Sequence, residues 1–508
     1  MSGWDGFLHG LSVALQPGVL IYCVLGVVLG TFVGVLPGIG AMATISLLLP
    51  ITYYLSPEAA LIMLAGVYYG SQYGGAVASI LLRLPGTPQS AVTTLDGYPL
   101  AQQGRAGVAL FTSMISSFLG SFFGIFVLIL LSGILSRAAT AFGAADYAAM
   151  MLLGLVAAST IGAKHPAKGF AMVVLGLILG CVGTDVNSGE QRFTFGQTEL
   201  MDGVNLVALA MGLFGVAEVI ANIHVAERTG VPRRIALREL LPSRAELRRI
   251  PFPALRGASL GSFFGALPGT GSTISSFLAY AAERRISRHP ERFGKGAIEG
   301  VAGPEAANNA AAISAFVPTL TLGIPGDPIM ALMLGALVIH GVQPGPLMLA
   351  ERPDMFWGLI ASFGIGNLLL LVLNLPLIGI WVSMLRIPFR WLYPAILIFV
   401  CLGVYSVRGS SFDIFAVALI GAIGYALSLA RFNPALLLLG FVLGPLIETN
   451  LRRALLISRG DPMVFLHRPI AAAFVLATAA LLAMSLLQAI RRKSRGPDRA
   501  ASVNGEAE

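Results

Sequence analysis

A duplicated pattern of glycine and proline residues restricts the fold of this chain more than any other feature. Within residues 26–40, nine residues recur 231 positions later, at 257–271. They are Gly26, Leu29, Gly30, Phe32, Gly34, Leu36, Pro37, Gly38 and Gly40. A second break, Leu-Pro-Gly-Thr-Pro at 84–88, matches Ile-Pro-Gly-Asp-Pro at 324–328, displaced by 240. Such internal repetition predicts two related halves, each with two Pro-Gly breaks.

The chain around these breaks is apolar enough to lie in a lipid bilayer. It is 56% hydrophobic and 11% charged, whereas soluble globular proteins carry about 25% charged residues. Apolar stretches such as 115–135 approach the length of about 20 residues that spans a bilayer core. They lack the alternation of membrane β-barrel strands. The sequence therefore predicts an all-α polytopic membrane protein with about 11–12 spans and with re-entrant or broken helices at the Pro-Gly motifs.

The distribution of basic residues predicts how the two halves face the bilayer. The net charge of +8 comes from short clusters beside apolar segments, where Lys and Arg mark the cytoplasmic side, and not from a nucleic-acid-binding surface. Residues 1–58 contain no Lys or Arg, whereas the second Pro-Gly hairpin lies between the basic stretches 228–256 and 284–295. The first hairpin is therefore expected to enter from outside and the second from the cytoplasm. This arrangement is the inverted-topology repeat of secondary transporters.

The topology divides the chain into five expected parts. They are a first transmembrane repeat (1–222), a basic cytoplasmic linker (223–253), a second transmembrane repeat (254–455), an extra C-terminal span (456–490) and a disordered cytoplasmic tail (491–508). In this count the acidic loop 185–202 lies outside. Arg452, Arg453, Arg459 and Arg468 also fall outside, against the usual charge rule. The alternative is that a crossing between Trp391 and Thr449 is misassigned.

The Pro-Gly breaks free backbone groups that lipid cannot satisfy. In transporters such breaks surround a cavity, where the N-terminus of each half-helix offers N–H groups and a positive dipole end to an anion. Polar residues beside the breaks are costly in lipid and are therefore site candidates. The predicted substrate-binding residues are Gly38, Gly40, Ser71, Gln72, Arg83, Gly86, Thr87, Ser90, Gly269, Thr270 and Gly271. Ordinary proline kinks are the alternative for the breaks, and a membrane-interface anchor is the alternative for Arg83.

A second set of polar residues precedes and includes the last break. Asp327, with Asn308, Asn309 and the carbonyl groups around Gly326, offers the hard oxygen ligands that suit Na⁺. These four residues are the predicted ion-coupling set, with H⁺ as the alternative ion. Asp327 alternatively caps the half-helix that follows it. The His and Cys residues show no metal-ligand spacing, so no metal or other cofactor is expected beyond the transported ion.

The sequence resembles the large membrane subunit of the tripartite tricarboxylate transporters, the TctA family, over roughly residues 18–455. The motifs that carry the resemblance are GVLPGIG at 34–40, YGSQYGG at 69–75, LPGTP at 84–88, DGYP at 96–99, EAANN at 305–309 and PGDP at 325–328. The resemblance implies a multi-pass permease of the bacterial inner membrane, a small four-span partner subunit and a periplasmic solute-binding protein that delivers citrate or a related carboxylate. It also implies ion-driven symport, with Na⁺ as the expected ion.

Three other functions are alternatives to a tripartite transporter subunit. A tripartite ATP-independent periplasmic-type carboxylate carrier shares the hairpins but not these motifs. A channel or exporter would work without a binding protein. An intramembrane enzyme would need a catalytic constellation, but the Gly-Ala-Ser-Leu-Gly string at 257–261 lies inside the glycine repeat rather than on a strand-to-helix elbow. The chain is therefore not expected to be an enzyme.

Overall fold

The fold is described from a computed structural model of the chain. The structure describes residues 3–36, 39–139, 141–161, 166–185, 188–223, 237–267, 271–345, 348–385 and 389–494. Gly38, Gly269 and Thr270 of the predicted site lie outside these residues, as do parts of the linker and the tail. The described residues are helical almost throughout, apart from a small antiparallel sheet of β1 (Gly183–Thr184) and β2 (Gln191–Arg192).

The first half contains ten α-helices in the described ranges. They are α1 (Gly3–Ala14), α2 (Pro17–Val35), α3 (Gly40–Thr52), α4 (Pro57–Leu82), α5 (Gly97–Leu100), α6 (Ala106–Ala139), α7 (Ala144–Ile161), α8 (Pro166–Gly180), α9 (Leu206–Ala210) and α10 (Ala217–Asn222). π-Helical turns at Ala101–Arg105 and Met211–Val216 join α5 to α6 and α9 to α10. Short 3₁₀ helices occupy Pro88–Thr94 and Thr198–Leu200.

The linker and the second half follow the same pattern. The helices are α11 (Arg244–Leu247), α12 (Pro251–Gly265), α13 (Gly271–Ile286), α14 (Glu299–Ser314), α15 (Phe316–Leu322), α16 (Pro328–Ile339), α17 (Met348–Glu351), α18 (Pro353–Asn374), α19 (Ile378–Met384), α20 (Phe389–Arg408), α21 (Ser411–Leu429), α22 (Pro434–Ile457), α23 (Val464–His467) and α24 (Pro469–Ser494). Further 3₁₀ helices occupy Leu237–Leu240 and Pro290–Arg292.

Six helices in the described ranges are long and apolar enough to cross a membrane. They are Pro17–Val35, Gly97–Ser132, Pro353–Asn374, Ser411–Leu429, Pro434–Ile457 and Pro469–Leu487. Shorter apolar helices of 10–17 residues accompany them, among them Gly40–Thr52 and Pro328–Ile339. The expectation of an all-α membrane protein is confirmed. The number of spans, the inverted orientation of the halves and the five-part division stay predictions.

The glycine stripes of the repeat are helix-packing surfaces. A Cβ atom added to the stripe of α2 would collide with the backbone of α4, and one added to the stripe of α12 would collide with α14. The colliding pairs are Gly26 with Met63, Gly30 with Val67, Gly34 with Ser71, Gly257 with Gly303, Gly261 with Ala307 and Gly265 with Ala311. The glycines repeat at a displacement of 231 and their partners at 240, as the sequence motifs do. Small residues let both helix pairs approach to backbone contact, as in other membrane helix pairs.

Ion pairs join segments that are far apart in the chain. Arg452 donates to Asp185 at 2.7 Å, and Arg468 donates to the buried Asp146 at 3.0 Å. Arg105 pairs with Glu246 of the linker. The segment from Arg452 to Arg468 therefore lies at the same end of the helices as the acidic loop, and acidic partners offset its positive charge. The side of the membrane that this segment faces stays a prediction.

Candidate functional site

The breaks of both halves meet at one cavity of 480 Å³. Its walls come from segments far apart in the chain. They are residues 39–43, 71–72, 85–89, 271–273 and 327–329, together with Phe214 and Glu218. All four Pro-Gly motifs thus contribute adjoining residues to a single site.

Two of the helices at this cavity, α3 and α13, begin at glycines in equivalent positions of the repeat. Gly40 has a φ of +62° and Gly271 a φ of +65°. This left-handed conformation is strained for a residue with a Cβ atom. The first turns of α3 and α13 line the cavity. The N–H groups of a first turn have no partner inside their helix and carry the positive end of the helix dipole.

Thr87 and Asp327 occupy matching positions in the second pair of breaks, 240 residues apart. Each precedes a helix that begins with proline. One carboxyl oxygen of Asp327 accepts a hydrogen bond of 2.9 Å from the Met330 N–H, and the other accepts one from the Tyr68 hydroxyl. The capping role that competed with ion coupling for Asp327 is therefore present, and the residue also lines the cavity.

Gln72 is the polar side chain on the α4 wall of the cavity. It is completely buried, and neither its amide nitrogen nor its amide oxygen has a hydrogen-bond partner among the described residues. A buried polar group without a partner costs about 1–3 kcal/mol. The neighbouring Ser71 hydroxyl instead donates to the Tyr68 carbonyl at 2.7 Å. The Gln72 amide therefore has unused hydrogen-bonding groups beside the cavity, and its substrate-binding role stays a prediction.

Arg83 lies away from the cavity lining. It ends α4 in the left-handed conformation, with a φ of +58°, and its repeat counterpart Gly323 ends α15 with a φ of +69°. The Arg83 side chain is exposed, and its guanidinium lies 5.8 Å from the centre of the Tyr98 ring. This position agrees with the alternative of an anchor at the membrane interface, and the substrate-binding role of Arg83 stays a prediction.

Phe214 and Glu218 line the cavity from a span in which the sequence analysis placed no site residue. They come from the turns at the junction of the π-helical segment with α10. The Glu218 carboxyl accepts a hydrogen bond of 2.9 Å from the Asn222 amide. A glutamate in an apolar span was the available signal, but this span carries no Pro-Gly break.

The remaining members of the predicted ion-coupling set lie off the cavity. Asn308 is 1% exposed, and its amide has no partner among the described residues. The Asn309 amide donates to the Glu305 carbonyl at 3.0 Å. The Gly326 N–H donates to the Thr319 hydroxyl at 3.4 Å.

The described part of the predicted site therefore divides into two groups. The residues that line the cavity are Gly40, Ser71, Gln72, Gly86, Thr87, Gly271 and Asp327. Those that do not are Arg83, Ser90, Asn308, Asn309 and Gly326. Ser90 supports the site from behind, because its hydroxyl accepts from the Thr87 N–H at 3.2 Å and donates to the Thr87 carbonyl at 2.8 Å.

Comparison with known proteins identifies a matching family and similar proteins. The family model described as the tripartite tricarboxylate transporter TctA family matches residues 20–439. An uncharacterized 52.8 kDa protein in the TAR-I ttuC' 3' region of Agrobacterium vitis is 50% identical over 486 residues, which are 95% of this chain and 96% of that protein. An uncharacterized protein in the TAR-II ttuC' 3' region of the same organism is 54% identical over 233 residues, 46% of this chain and 96% of that protein. No solved structure matches the chain.

The match to the family model covers most of the chain and contains all the breaks that form the cavity. The chain belongs to the tripartite tricarboxylate transporter TctA family.

Proposed function

We propose that this chain is the large permease subunit of a binding-protein-dependent secondary transporter. It takes up citrate, another tricarboxylate or a related carboxylate across the bacterial inner membrane, driven by a cation gradient, with Na⁺ as the first candidate and H⁺ as the second. Its partners are a small four-span membrane subunit and a periplasmic solute-binding protein. The observation that carries the proposal is the cavity lined by the first turns of three broken helices, α3, α13 and α16.

The helix ends suit the cavity to a carboxylate. The first-turn N–H groups of α3 and α13 and the positive dipole ends of α3, α13 and α16 stabilise a negative charge, whereas the Met330 N–H of α16 already bonds to Asp327. Gln72 adds an unpaired amide donor, and the Thr87 hydroxyl lies on the same wall. Backbone donors bind an anion without a permanent counter-charge, so a substrate held in this way can also be released.

The charges at the cavity explain why a cation should accompany the substrate. Among the described lining residues there is no Lys or Arg, whereas Asp327 and Glu218 bring two carboxyl groups. Like charges a few ångströms apart repel each other strongly in a low dielectric. A cation bound beside Asp327 removes this repulsion, so substrate and cation favour each other's binding. This reciprocal preference is the thermodynamic basis of symport.

The duplicated construction suits alternating access. The pairs α2–α4 and α12–α14 pack through equivalent glycines, and both halves supply equivalent residues to the cavity. Two inverted halves around one site are able to exchange conformations, so the site opens to each side in turn. Membership of the TctA family favours this system over the tripartite ATP-independent periplasmic type.

The test is uptake of labelled citrate and other carboxylates into proteoliposomes that contain this chain and its small partner. An imposed Na⁺ gradient or pH gradient supplies the drive, with and without the periplasmic protein. Accumulation that needs a gradient and the binding protein is the expected result. Uptake that needs neither would contradict the proposal and indicate a channel or a simple carrier.

Two variants test whether the cavity binds the transported carboxylate. Gln72→Ala should lower the apparent affinity for the carboxylate about tenfold, because one hydrogen bond to a charged group contributes about 1.5–3 kcal/mol. Asn374→Ala is the matched control, since Asn374 is also a completely buried amide but lies on α18, outside the cavity lining. Equal effects of both variants would mean that Gln72 has only a packing role.

A further inference from the structure

Glu305 is a buried carboxyl group that does not line the cavity. It lies on α14 and is 1% exposed. One carboxyl oxygen accepts a hydrogen bond from the Thr93 hydroxyl, and the other accepts one of 3.2 Å from the Ser117 hydroxyl. The Ser113 hydroxyl also hydrogen-bonds to this carboxyl group. These four side chains, Glu305, Thr93, Ser113 and Ser117, form what we call the Glu305 cluster.

Within the described residues, Glu305 forms no ion pair with a Lys, Arg or His side chain. The charged and titratable groups that approach α14 have hydrogen-bond partners other than Glu305. Arg256 of α12 donates to both carboxyl oxygens of Glu283, at 2.7 and 2.6 Å, and Glu283 packs against Gly303. Asp96 accepts from the Tyr280 hydroxyl at 2.9 Å beside Gly300. From α4, the Tyr73 hydroxyl interacts electrostatically with Glu305 and hydrogen-bonds to Asn367.

An ionised carboxylate sealed in protein without a counter-charge costs several kcal/mol, and hydroxyl donors alone do not offset that cost. The group therefore takes up a positive charge. We propose that the Glu305 cluster binds a second coupling cation, Na⁺ or H⁺, in addition to the cation placed beside Asp327. Carboxylate and hydroxyl oxygens are hard ligands that suit Na⁺, and the same carboxyl group accepts a proton. Asn308, three residues further along α14, also has a buried amide without a partner among the described residues.

The 3₁₀ helix Pro88–Thr94 connects this cluster to the cavity. Pro88 and Gln89 at its beginning line the cavity, and Thr93 near its end hydrogen-bonds to Glu305. A substrate that shifts the beginning of this short helix also shifts the Thr93 hydroxyl. Binding at the cavity and charge at Glu305 are then coupled through one rigid element, and the coupling is reciprocal.

This inference rests on the proposed function, so its first test does not use transport. The purified full-length chain is titrated with NaCl at constant pH, with choline chloride as the ionic-strength control, and its Tm is recorded. The carboxylic acid C=O band is followed by infrared spectroscopy as the pH is varied. Glu305→Gln is compared with the wild type, and Asp413→Asn is the control, because Asp413 is also a buried carboxyl group but lies outside the cavity lining.

Two results support the cation site. Either the wild type and Asp413→Asn show a larger Na⁺-dependent rise in Tm than Glu305→Gln, which identifies Na⁺. Or the carboxylic acid band of the wild type and of Asp413→Asn is reduced in Glu305→Gln, which identifies H⁺. A Glu305→Gln protein with both signals of the wild type would overturn the proposal.

Thr93→Val and Ser117→Ala keep the test decisive if Glu305→Gln does not fold. Each removes one hydroxyl of the Glu305 cluster and should weaken cation binding about tenfold, because it removes one hydrogen bond or ligand to a charged group. Wild-type cation affinity in both variants would contradict the proposal.

In proteoliposomes, Glu305→Gln should retain exchange of labelled for unlabelled carboxylate and lose gradient-driven accumulation. Accumulation at the wild-type level would contradict the proposal. If the wild type moves no carboxylate, the proposed function fails, while the binding measurements still decide the cation site.

Discussion

Tyr68 of α4 donates the hydrogen bond that holds the carboxyl group of Asp327 in the other half of the chain. Asp327 in turn caps α16 through the Met330 N–H at 2.9 Å. Tyr68 is fully buried, and Asp327 is 7% exposed at the edge of the cavity. This bond joins the two halves at the point where we place the substrate and its cation.

Removing the Tyr68 hydroxyl should weaken the response to the cation. Tyr68→Phe leaves one oxygen of a buried carboxyl group without its donor, and such a bond contributes about 1.5–3 kcal/mol. We expect the cation concentration for half-maximal uptake to rise about tenfold or more. Tyr69→Phe is the control, because the Tyr69 hydroxyl contacts Cys23 and Ser362 and not the cavity. An equal effect in both variants would count against a special role for the Tyr68–Asp327 bond.

Neutralising Asp327 should separate accumulation from binding. Asp327→Asn preserves the shape and one capping acceptor but removes the negative charge that attracts a cation. Gradient-driven accumulation should therefore fall much more than equilibrium binding of the carboxylate, measured by calorimetry on the purified protein. Asp413→Asn, a buried carboxylate that accepts from Asn205 at 3.1 Å away from this cavity, is the control. An unchanged Na⁺ dependence in Asp327→Asn would remove this residue from the coupling role.

The glycine stripes should be intolerant of side chains. In Gly30→Val, the added Cβ atom would lie 2.5 Å from the Val67 carbonyl oxygen, so α2 and α4 must move apart. Overpacking of this kind costs about 1–3 kcal/mol or more. The Tm in detergent should fall for Gly30→Val and for its counterpart Gly261→Val. Gly18→Val on α2 is the control, because a Cβ atom there meets nothing within 4 Å. Equal Tm values for Gly18→Val and Gly30→Val would mean that the two helices are not closely packed.

The C-terminal helix α24 should depend on one ion pair. Arg468 immediately precedes α24 and pairs at 2.7 Å with Asp146, which is completely buried at the start of α7. Arg468→Ala leaves a buried charge without its partner, which costs about 3–5 kcal/mol. The loss in unfolding free energy should be smaller in the double variant Asp146→Asn/Arg468→Ala. Independent, additive effects of the two substitutions would show that the ion pair does not form.

The contact between Glu246 of the linker and Arg105 should be lost at low pH. The Glu246 side chain is partly buried, which raises its pKa. Hydrogen bonds from the Ser243 N–H and hydroxyl and the positive charge of Arg105 together lower the pKa by more than burial raises it, so the net shift is downward. A carboxyl group with a lowered pKa stabilises the folded state above its unfolded pKa and loses that effect as the pH falls through the folded value. Limited proteolysis near residues 237–250 should therefore increase in acid, and Glu246→Gln should show the acid pattern already at neutral pH. Cleavage independent of pH would contradict this.

The sequence alone predicted the features that depend on local chemistry. Low charge and long apolar stretches required a helical membrane protein, because lipid leaves backbone groups no other partner. The repeated Pro-Gly motifs marked the segments that line the cavity, since only a broken helix exposes its N–H groups to a ligand. Asp327 and Gln72 were visible as polar residues in an apolar context.

Other features depend on which helices pack together, and tertiary structure alone decided them. Glu218 reaches the cavity from a span without a break, while Arg83, chosen for its charge beside a break, lies outside the lining. The acidic partners of Arg452 and Arg468, Asp185 and Asp146, lie about 270 and 320 residues away in the chain, so a charge count along the sequence could not include them. The hydroxyls around Glu305 come from two separate segments, the 3₁₀ helix Pro88–Thr94 and α6, and glycine and alanine let α6 and α14 approach to backbone contact.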